Sequence, residues 1–272
     1  MRRVPLRLTA VASVIVLALV APRAASFDHD YWDYAKVLHD YVHASRVDYT
    51  ALRRSRAGLD AVVAEFAGPA ADEERAWPRE QRLAFWINAY NACTLRAIVD
   101  HYPIQSSWLT LLPRNSIRQI DGVWTTLTWR AAGRTLTLDD IEHRILRPEF
   151  KEPRVHFAVN CASAGCPPLA AEPYRGATID AQLDAAARRY LASEHGLRID
   201  RGTLRVSKIL QWYGEDFVAR FAPDAPAGPA RVEQAIRAVV ETFGPPEAAA
   251  LARTKSVRVR FLDYDWSLND AR

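Results

Sequence analysis

The sequence has few of the residues that mark non-globular classes of protein. Its 272 residues include only 11 glycines and 16 prolines, which excludes a collagen-like or a low-complexity chain. After the first 26 residues there is no charge-free apolar stretch long enough to span a bilayer. Hydrophobic residues make up 49% of the chain and charged residues 25%, so the chain can bury a core of its own. We therefore expect a folded, water-soluble protein.

An excess of positive charge is also missing once the N-terminal segment is set aside. The formal net charge is +4, and the four arginines before Ser26 account for it, because no acidic residue precedes Ser26. The neutral remainder has no electrostatic footprint for phosphate backbones, so we expect no nucleic-acid partner. The first residues combine arginines, an apolar run over 8–20 and small residues at 24–26. This pattern predicts a signal peptide over 1–26, and a periplasmic or secreted protein over 27–272 with no stable membrane insertion after cleavage.

Standard cofactor motifs are absent as well. The chain has no phosphate-binding loop, no dinucleotide-binding glycine fingerprint and no EF-hand. The residue types of a zinc site are present in His143, His156, Cys161 and Cys166. Neither a Cys-x-x-Cys pair nor a His-Glu-x-x-His motif accompanies them. We therefore expect no metal and no cofactor.

The periodicity of the apolar residues predicts helices and short strands in separate parts of the chain. Helices are predicted over residues 31–42, 59–66, 77–100, 178–192 and 230–243. Hairpins are predicted over 123–138 and 197–206, and single strands over 154–160 and 257–262. No internal repeat or long linker divides the chain. We expect one α+β domain, in which a buried central helix packs on a mostly antiparallel sheet with β-hairpins and flanking helices.

The longest predicted helix is apolar on nearly every face, as a buried helix is. It nonetheless carries Asn88, Asn91 and Arg96. A buried polar group without a partner costs about 1–3 kcal/mol, so we expect these side chains to find partners on neighbouring strands or loops. Cys93 lies well inside the apolar part of the helix, and we expect it to be a core residue.

The densest group of chemistry-bearing side chains begins at Glu142 and His143 and continues from residue 154 to residue 169. If residues 154–160 form a strand, His156 and Asn160 share one face and lie about 13 Å apart, at about 3.3 Å per residue. That distance excludes direct contact. Cys166 follows on a loop that can fold back toward His156.

Four segments have the residue types and the order of a known family. They are residues 85–92 (FWINAYNA), 156–169 (HFAVNCASAGCPPL), 210–217 (LQWYGEDF) and 264–269 (YDWSLN). These segments resemble the signature blocks of the domain-of-unknown-function family 547 (DUF547), and the resemblance covers nearly all of the chain after the predicted signal peptide. The family has no settled activity. The resemblance therefore implies an uncharacterised protein, and together with the predicted signal peptide it predicts an exported bacterial member.

One hypothesis for the function is a thiol-dependent hydrolase or acyltransferase. Cys166 is then the nucleophile, and His156 or His143 is the base that converts its thiol to a thiolate. Glu142 or Asn88 orients the imidazole. A buried helix beside a histidine-bearing strand is also similar to papain-like and transglutaminase-like hydrolases, but there the nucleophile begins the central helix, and here that region offers asparagines.

The alternative is a non-catalytic binding or structural module of the cell envelope. In an exported protein, Cys161 and Cys166 are close enough in sequence to form a disulfide, which leaves no thiolate for catalysis. The polar residues then line a pocket for a small molecule or a peptide. The residues expected to contact a substrate or ligand are Asn88, Asn91, Asn160 and Trp212. Both hypotheses remain open at this stage.

Overall fold

The described part of the chain covers most of the sequence after the predicted signal peptide. The structure, a computed structural model, describes residues 27–271 except 106–112, 114, 229 and 255. The predicted signal peptide over 1–26 therefore lies outside the described residues. Within these ranges, no helix combines the length and the apolar character needed to cross a membrane.

Helices make up most of the described structure. The α-helices are α1 (Trp32–Tyr41), α2 (Tyr49–Arg54), α3 (Ala57–Ala67), α4 (Ala71–Ala76), α5 (Arg79–His101), α6 (Ile179–Leu191), α7 (Lys208–Trp212), α8 (Gly214–Phe221), α9 (Ala230–Phe243) and α10 (Pro246–Ala252). A π-helix spans Asp140–Phe150, and 3-10 helices span Ile117–Gln119, Pro153–Phe157 and Gly176–Thr178. All five predicted helices are confirmed.

The strands form small sheets that lie apart from one another. Strands β1 (Val42–His43) and β2 (Arg46–Val47) pair antiparallel, as do β3 (Thr128–Ala131) and β4 (Arg134–Thr137). The third sheet has the order β5 (Leu197–Asp200), β6 (Thr203–Val206) and β7 (Arg258–Phe261). Its first pair is antiparallel and its second is parallel. The hairpin predicted over 197–206, the last strand and the α+β class are confirmed. The hairpin predicted over 123–138 is confirmed in its shorter extent of 128–137, because a turn precedes β3.

The predicted strand over residues 154–160 is wrong, because the chain forms the 3-10 helix Pro153–Phe157 instead. Pro153 has a fixed φ suited to the first position of a helix. The carboxylate of Glu152 caps the same end by accepting a hydrogen bond from the Arg154 backbone N–H at 3.1 Å. Every residue from 153 to 160 is buried, so the alternation of side chains does not separate a core face from a solvent face. The separation of about 13 Å expected for His156 and Asn160 along a strand therefore does not apply.

Helix α5 is the predicted buried helix, and its closely packed neighbours are α2, α3, α6, the π-helix and the 3-10 helix Gly176–Thr178. Asn88 exchanges two hydrogen bonds with the backbone of Tyr174, at 2.7 and 2.9 Å. Asn91 donates to the carbonyl of Ala158 at 3.0 Å and accepts from the backbone N–H of Asn160 at 2.8 Å. Both amides therefore find partners on loops, as expected.

The third polar residue of this helix, Arg96, finds its partners on helices and not on strands or loops. Its guanidinium lies 2.8 Å from a carboxylate oxygen of Asp60 on α3 and 3.0 Å from one of Asp100 on α5 itself. This pairing keeps the charged group at the edge of the helix, where it is partly exposed. The expectation for Arg96 is corrected in this respect.

The 3-10 helix Pro153–Phe157 lies where two hydrophobic clusters meet. Val155 belongs to the cluster around α5, and Phe157 belongs to the cluster formed by residues of α6, α9 and β6. His156 stands between these two residues and is 2% exposed. The meeting of the two clusters thus positions a buried histidine.

Candidate functional site

A cavity of about 260 Å³ is lined by five of the residues expected to form a site. These are Glu142, His143, His156, Cys166 and Trp212. The other lining residues are Tyr90, Trp124, Asp139, Val159, Cys161, Ile209, Tyr213, Tyr264 and Trp266. Four parts of the chain meet at this cavity: the π-helix, the 3-10 helix Pro153–Phe157, α7 and the C-terminal segment. Side chains far apart in the sequence therefore line one cavity.

His156 is held by two neighbours that fix its ring and its tautomer. Its Nε2–H donates to Oδ2 of Asp216 at 2.7 Å, and its ring stacks on Tyr213 with the ring centroids 3.9 Å apart. Its Nδ1 is buried and has no hydrogen-bond partner. Because an ionised carboxylate only accepts hydrogen bonds, the neutral imidazole carries its hydrogen on Nε2 and its lone pair on Nδ1. The unpartnered Nδ1 is therefore the atom that can take up a proton.

Asp216 is kept ionised by its partners. Burial raises the pKa of this carboxyl, but the hydrogen bonds from His156 and Arg147 lower it more, so its pKa lies well below the usual range. Arg147 donates from Nε at 2.6 Å and from Nη2 at 3.0 Å, one bond to each carboxylate oxygen. This bidentate pair fixes the plane of the carboxylate that holds His156.

His143 lies on the π-helix, and both of its ring nitrogens face charged side chains. Its Nδ1 accepts a hydrogen bond from Nη1 of Arg147 at 2.9 Å. Its Nε2 lies 3.8 Å from a carboxylate oxygen of Asp139. The lone pair of the neutral ring is therefore engaged, which leaves His156 as the histidine of the cavity with a free acceptor nitrogen.

Glu142 is buried in the wall of the cavity, with 6% of the residue exposed. The pKa of both Tyr90 and Tyr213 is raised, first by burial and then by the nearby Glu142 carboxylate. The prediction that Glu142 or Asn88 orients the imidazole is wrong for His156, because the carboxylate bonded to this ring is that of Asp216.

Cys161 and Cys166 form a disulfide, as one of the sequence hypotheses predicts. The backbone N–H of Cys161 donates to Sγ of Cys166 at 2.9 Å, and the hydroxyl oxygens of Ser163 and Tyr264 each lie 3.2 Å from Sγ of Cys161. In this state the cavity presents a disulfide. Cys93 is free and buried in the core as predicted, and burial raises its pKa to about 12.

The three asparagines expected to bind a ligand are placed outside the residues that line this cavity. Asn88 and Asn91 hold backbone segments, as described above. Asn160 donates from Nδ2 to the carbonyl of Pro167 at 2.8 Å and accepts at Oδ1 from the backbone N–H of Ala162 at 2.9 Å. It also lines a second cavity of about 190 Å³, which Cys166 borders too. Asn91 and Asn160 thus fix the segments that carry His156 and Cys166, whereas Asn88 fixes the backbone at Tyr174.

The sequence did not predict the contact between Asp216 and His156. Sixty positions separate the two residues, and no spacing rule connects them. The one available signal is that Asp216 lies in the segment 210–217, which resembles a DUF547 block. In the described ranges, no group of three or more His, Cys, Asp or Glu side chains is arranged to hold a metal ion.

Comparison with known proteins supports the family resemblance for the central part of the chain. Residues 75–191 match the family model described as "Protein of unknown function, DUF547". This range runs from the end of α4 to the end of α6 and includes Glu142, His143, His156 and both cysteines of the disulfide. Asp216 and Trp212 follow it. No curated protein and no solved structure matches the chain.

Proposed function

We propose that this DUF547-related chain is a thiol-dependent hydrolase or acyltransferase, with Cys166 as the nucleophile and His156 as the base. One observation carries the proposal. His156 is held by Asp216 through Nε2, while its unpartnered Nδ1 belongs to a residue that lines the same cavity as Cys166. A base that is oriented by a carboxylate and lines the same cavity as a cysteine is suited to activating the thiol.

The chemistry of the proposal is acyl transfer. Nδ1 of His156 takes the proton of the reduced Cys166 thiol, and the thiolate attacks the carbonyl carbon of the substrate. The bond to the leaving group breaks, and the imidazolium returns the proton to that group. Water or an acceptor nucleophile then attacks the thioester and releases the acyl group together with the Cys166 thiol. Asp216 is a positioning residue, because its charge stabilises the imidazolium.

The disulfide has to be opened before this chemistry can begin. An external dithiol reduces it by two successive thiol–disulfide exchanges, which yield the two cysteine thiols and the oxidised dithiol. The backbone N–H that points at Sγ of Cys166 is then a donor to the thiolate, and such a donor lowers a thiol pKa. In this proposal the oxidised protein is the resting form and the dithiol-reduced protein is the active form.

A matched pair of variants tests this proposal without any reductant. Cys161→Ser frees Cys166, whereas Cys166→Ser frees Cys161, and both variants lose the same disulfide. With an activated ester such as p-nitrophenyl acetate, we expect turnover by Cys161→Ser, none by Cys166→Ser, and none by oxidised wild type until a dithiol is added. Equal turnover by the two variants, or none by either, overturns the proposal.

A second candidate function is a binding module without catalysis, and the disulfide itself favours it. The bonded cysteines leave the cavity with no free thiol, while its aromatic walls suit a small molecule or a single peptide side chain. If the protein is a binding module, the oxidised wild type binds its ligand. The reduced protein then hydrolyses no ester, whether or not its thiols are alkylated.

Export to the periplasm or to the exterior is part of the same proposal. It is supported by the arginines, the apolar run and the small residues at the start of the chain, and a disulfide is typical of proteins in oxidising compartments. Fractionation of expressing bacteria, with N-terminal sequencing, tests it. We expect a new N-terminus near residue 27 in the exported fraction. An unprocessed protein in the cytoplasm contradicts it.

A further inference from the structure

Glu142 is a buried carboxylate that lacks a cationic partner within the described part of the chain. It is 6% exposed, and no Lys, Arg or His nitrogen there lies within ion-pair distance of it. Its electrostatic neighbours include the neutral hydroxyls of Tyr90 and Tyr213 and the guanidinium of Arg147, whose ion pair is with Asp216. Buried charges in proteins are normally paired. The negative charge of Glu142 therefore remains available to a group that enters the cavity.

Several aromatic side chains line the same cavity as this carboxylate. The rings of Trp212 and Trp266 stack with centroids 5.8 Å apart, and Tyr264 lies 4.5 Å from Trp266. The face of such a ring attracts cations. The chain already uses this attraction beside the cavity, since the guanidinium of Arg118 lies 4.9 Å from the ring centroid of Trp266.

The remaining charges of the cavity have the same sign as Glu142. Asp139 is a second acidic lining residue, and among the described residues that line the cavity there is no lysine and no arginine. A volume of about 260 Å³ lies just below the roughly 300–1,000 Å³ typical of sites for drug-sized ligands. The ligand is therefore a small molecule or one side chain of a larger one.

We infer that this cavity takes an organic cation, either a protonated amine or a quaternary ammonium group. The cation pairs with the Glu142 carboxylate and packs against the exposed ring of Trp212. The step from ligand to substrate rests on the function proposed above: if Cys166 accepts an acyl group, the molecule that carries this group is an amine-bearing one.

Binding of two isosteric probes tests this inference. Choline and 3,3-dimethyl-1-butanol have the same shape, but only choline is charged. The oxidised, full-length protein is titrated with each, and the binding is read by tryptophan fluorescence and calorimetry. We expect choline to bind about tenfold more tightly than the alcohol, because charge pairing and cation–π attraction act on choline alone. Equal affinities, or no binding of either probe, overturn the inference.

Variants of two carboxylates on the π-helix test whether Glu142 causes the preference for choline. Glu142→Gln should remove the preference for choline and leave the affinity for the alcohol unchanged. Glu149→Gln, on the same helix but paired with Arg82, should retain the preference. Trp212→Leu is measured beside it, because Trp212 is 46% exposed and its replacement tests the inference even if Glu142→Gln does not fold. Loss of the indole ring should weaken choline binding more than binding of the alcohol, because only choline gains cation–π attraction. A preference that survives both variants contradicts the inference.

The outcomes of this test are independent of catalysis. Probe binding is measured on the oxidised protein, in which Cys166 is bonded to Cys161 and cannot react. Loss of ester turnover in Cys161→Ser would therefore reject the proposed enzyme while leaving cation binding intact. Equal affinities for choline and the uncharged alcohol would reject the cationic ligand while leaving the thiol chemistry intact.

Discussion

The Nε2–H of His156 donates to the Asp216 carboxylate at 2.7 Å, although sixty residues separate the two. Asp216 lies on α8, and His156 lies on the 3-10 helix at the meeting of the two hydrophobic clusters. The bond fixes the tautomer that leaves a lone pair on Nδ1. It also holds the ring in one orientation against Tyr213.

Asp216→Asn should slow ester turnover by about a hundredfold in the Cys161→Ser background. The amide removes the charge that stabilises the imidazolium and no longer selects one tautomer, and general base catalysis contributes about 10²–10⁴ to rates. The measurement is turnover as a function of pH, together with thermal unfolding. We expect a change in the pH profile, which a purely structural role would not produce.

Glu215→Gln is the control for that experiment. Glu215 precedes Asp216 on the same helix and is exposed, where it pairs with Arg231. Its replacement should leave both turnover and the pH profile as they are. An equal loss in the two variants would mean that α8 tolerates no substitution here, and the assignment of Asp216 as a positioning residue would be withdrawn.

Asn91→Ala should destabilise the fold by about 3 kcal/mol, because the carbonyl of Ala158 and the N–H of Asn160 lose their partners in the core. Denaturant unfolding measures the change. The sequence interpretation placed Asn91 among ligand-binding residues. If the variant retains full stability but loses affinity for a ligand of the cavity, that interpretation stands and the structural role assigned by these bonds does not.

Glu65 on α3 should make stability fall between pH 4.5 and pH 8. Burial, and then the neighbouring Asp33 carboxyl, raise the pKa of Glu65 to about 7. Since its pKa is raised in the folded state, the protonated carboxyl stabilises the fold below its unfolded pKa, and this contribution is lost as the pH rises through about 7. The effect is modest, because much of the Glu65 side chain remains exposed and only part of its carboxyl's surroundings are removed from water.

Thermal unfolding of Glu65→Gln against wild type measures that effect. The variant should be the more stable protein at pH 8 and should approach wild type at pH 4. Glu241→Gln, an exposed carboxylate on α9 paired with Arg253, serves as the control and should show no gain at pH 8. A Glu65→Gln difference that does not change with pH would count against the raised pKa.

The parts of the fold with strong local signals could be predicted from the sequence. The buried helix α5 shows in its apolar residues, and the hairpin of β5 and β6 shows in the turn at Arg201 and Gly202. The segment around His156 could not be read in this way. All of its residues are buried, so the pattern of apolar side chains carries no period, and the cap from Glu152 and the start at Pro153 decide its conformation.

The site was predictable in its residue types and not in its contacts. Glu142, His143, His156 and Cys166 were identified as chemical groups, and the cavity gathers all four. The partner of His156 comes from α8, and tertiary packing alone brings it there. The reverse holds for Asn88: a polar residue on a buried helix looks functional in sequence, yet its bonds go to the backbone of Tyr174.

The most direct test of the account is the pH dependence of Cys166 alkylation in the Cys161→Ser variant, measured by mass spectrometry of the Cys166 peptide. If His156 activates this thiol, the rate of iodoacetamide labelling should stay high well below the ordinary thiol pKa of about 8.5. The double variant with His156→Ala should then label only as the pH approaches that value. Labelling of both proteins along one curve centred near about 8.5 would contradict the proposed nucleophile and base.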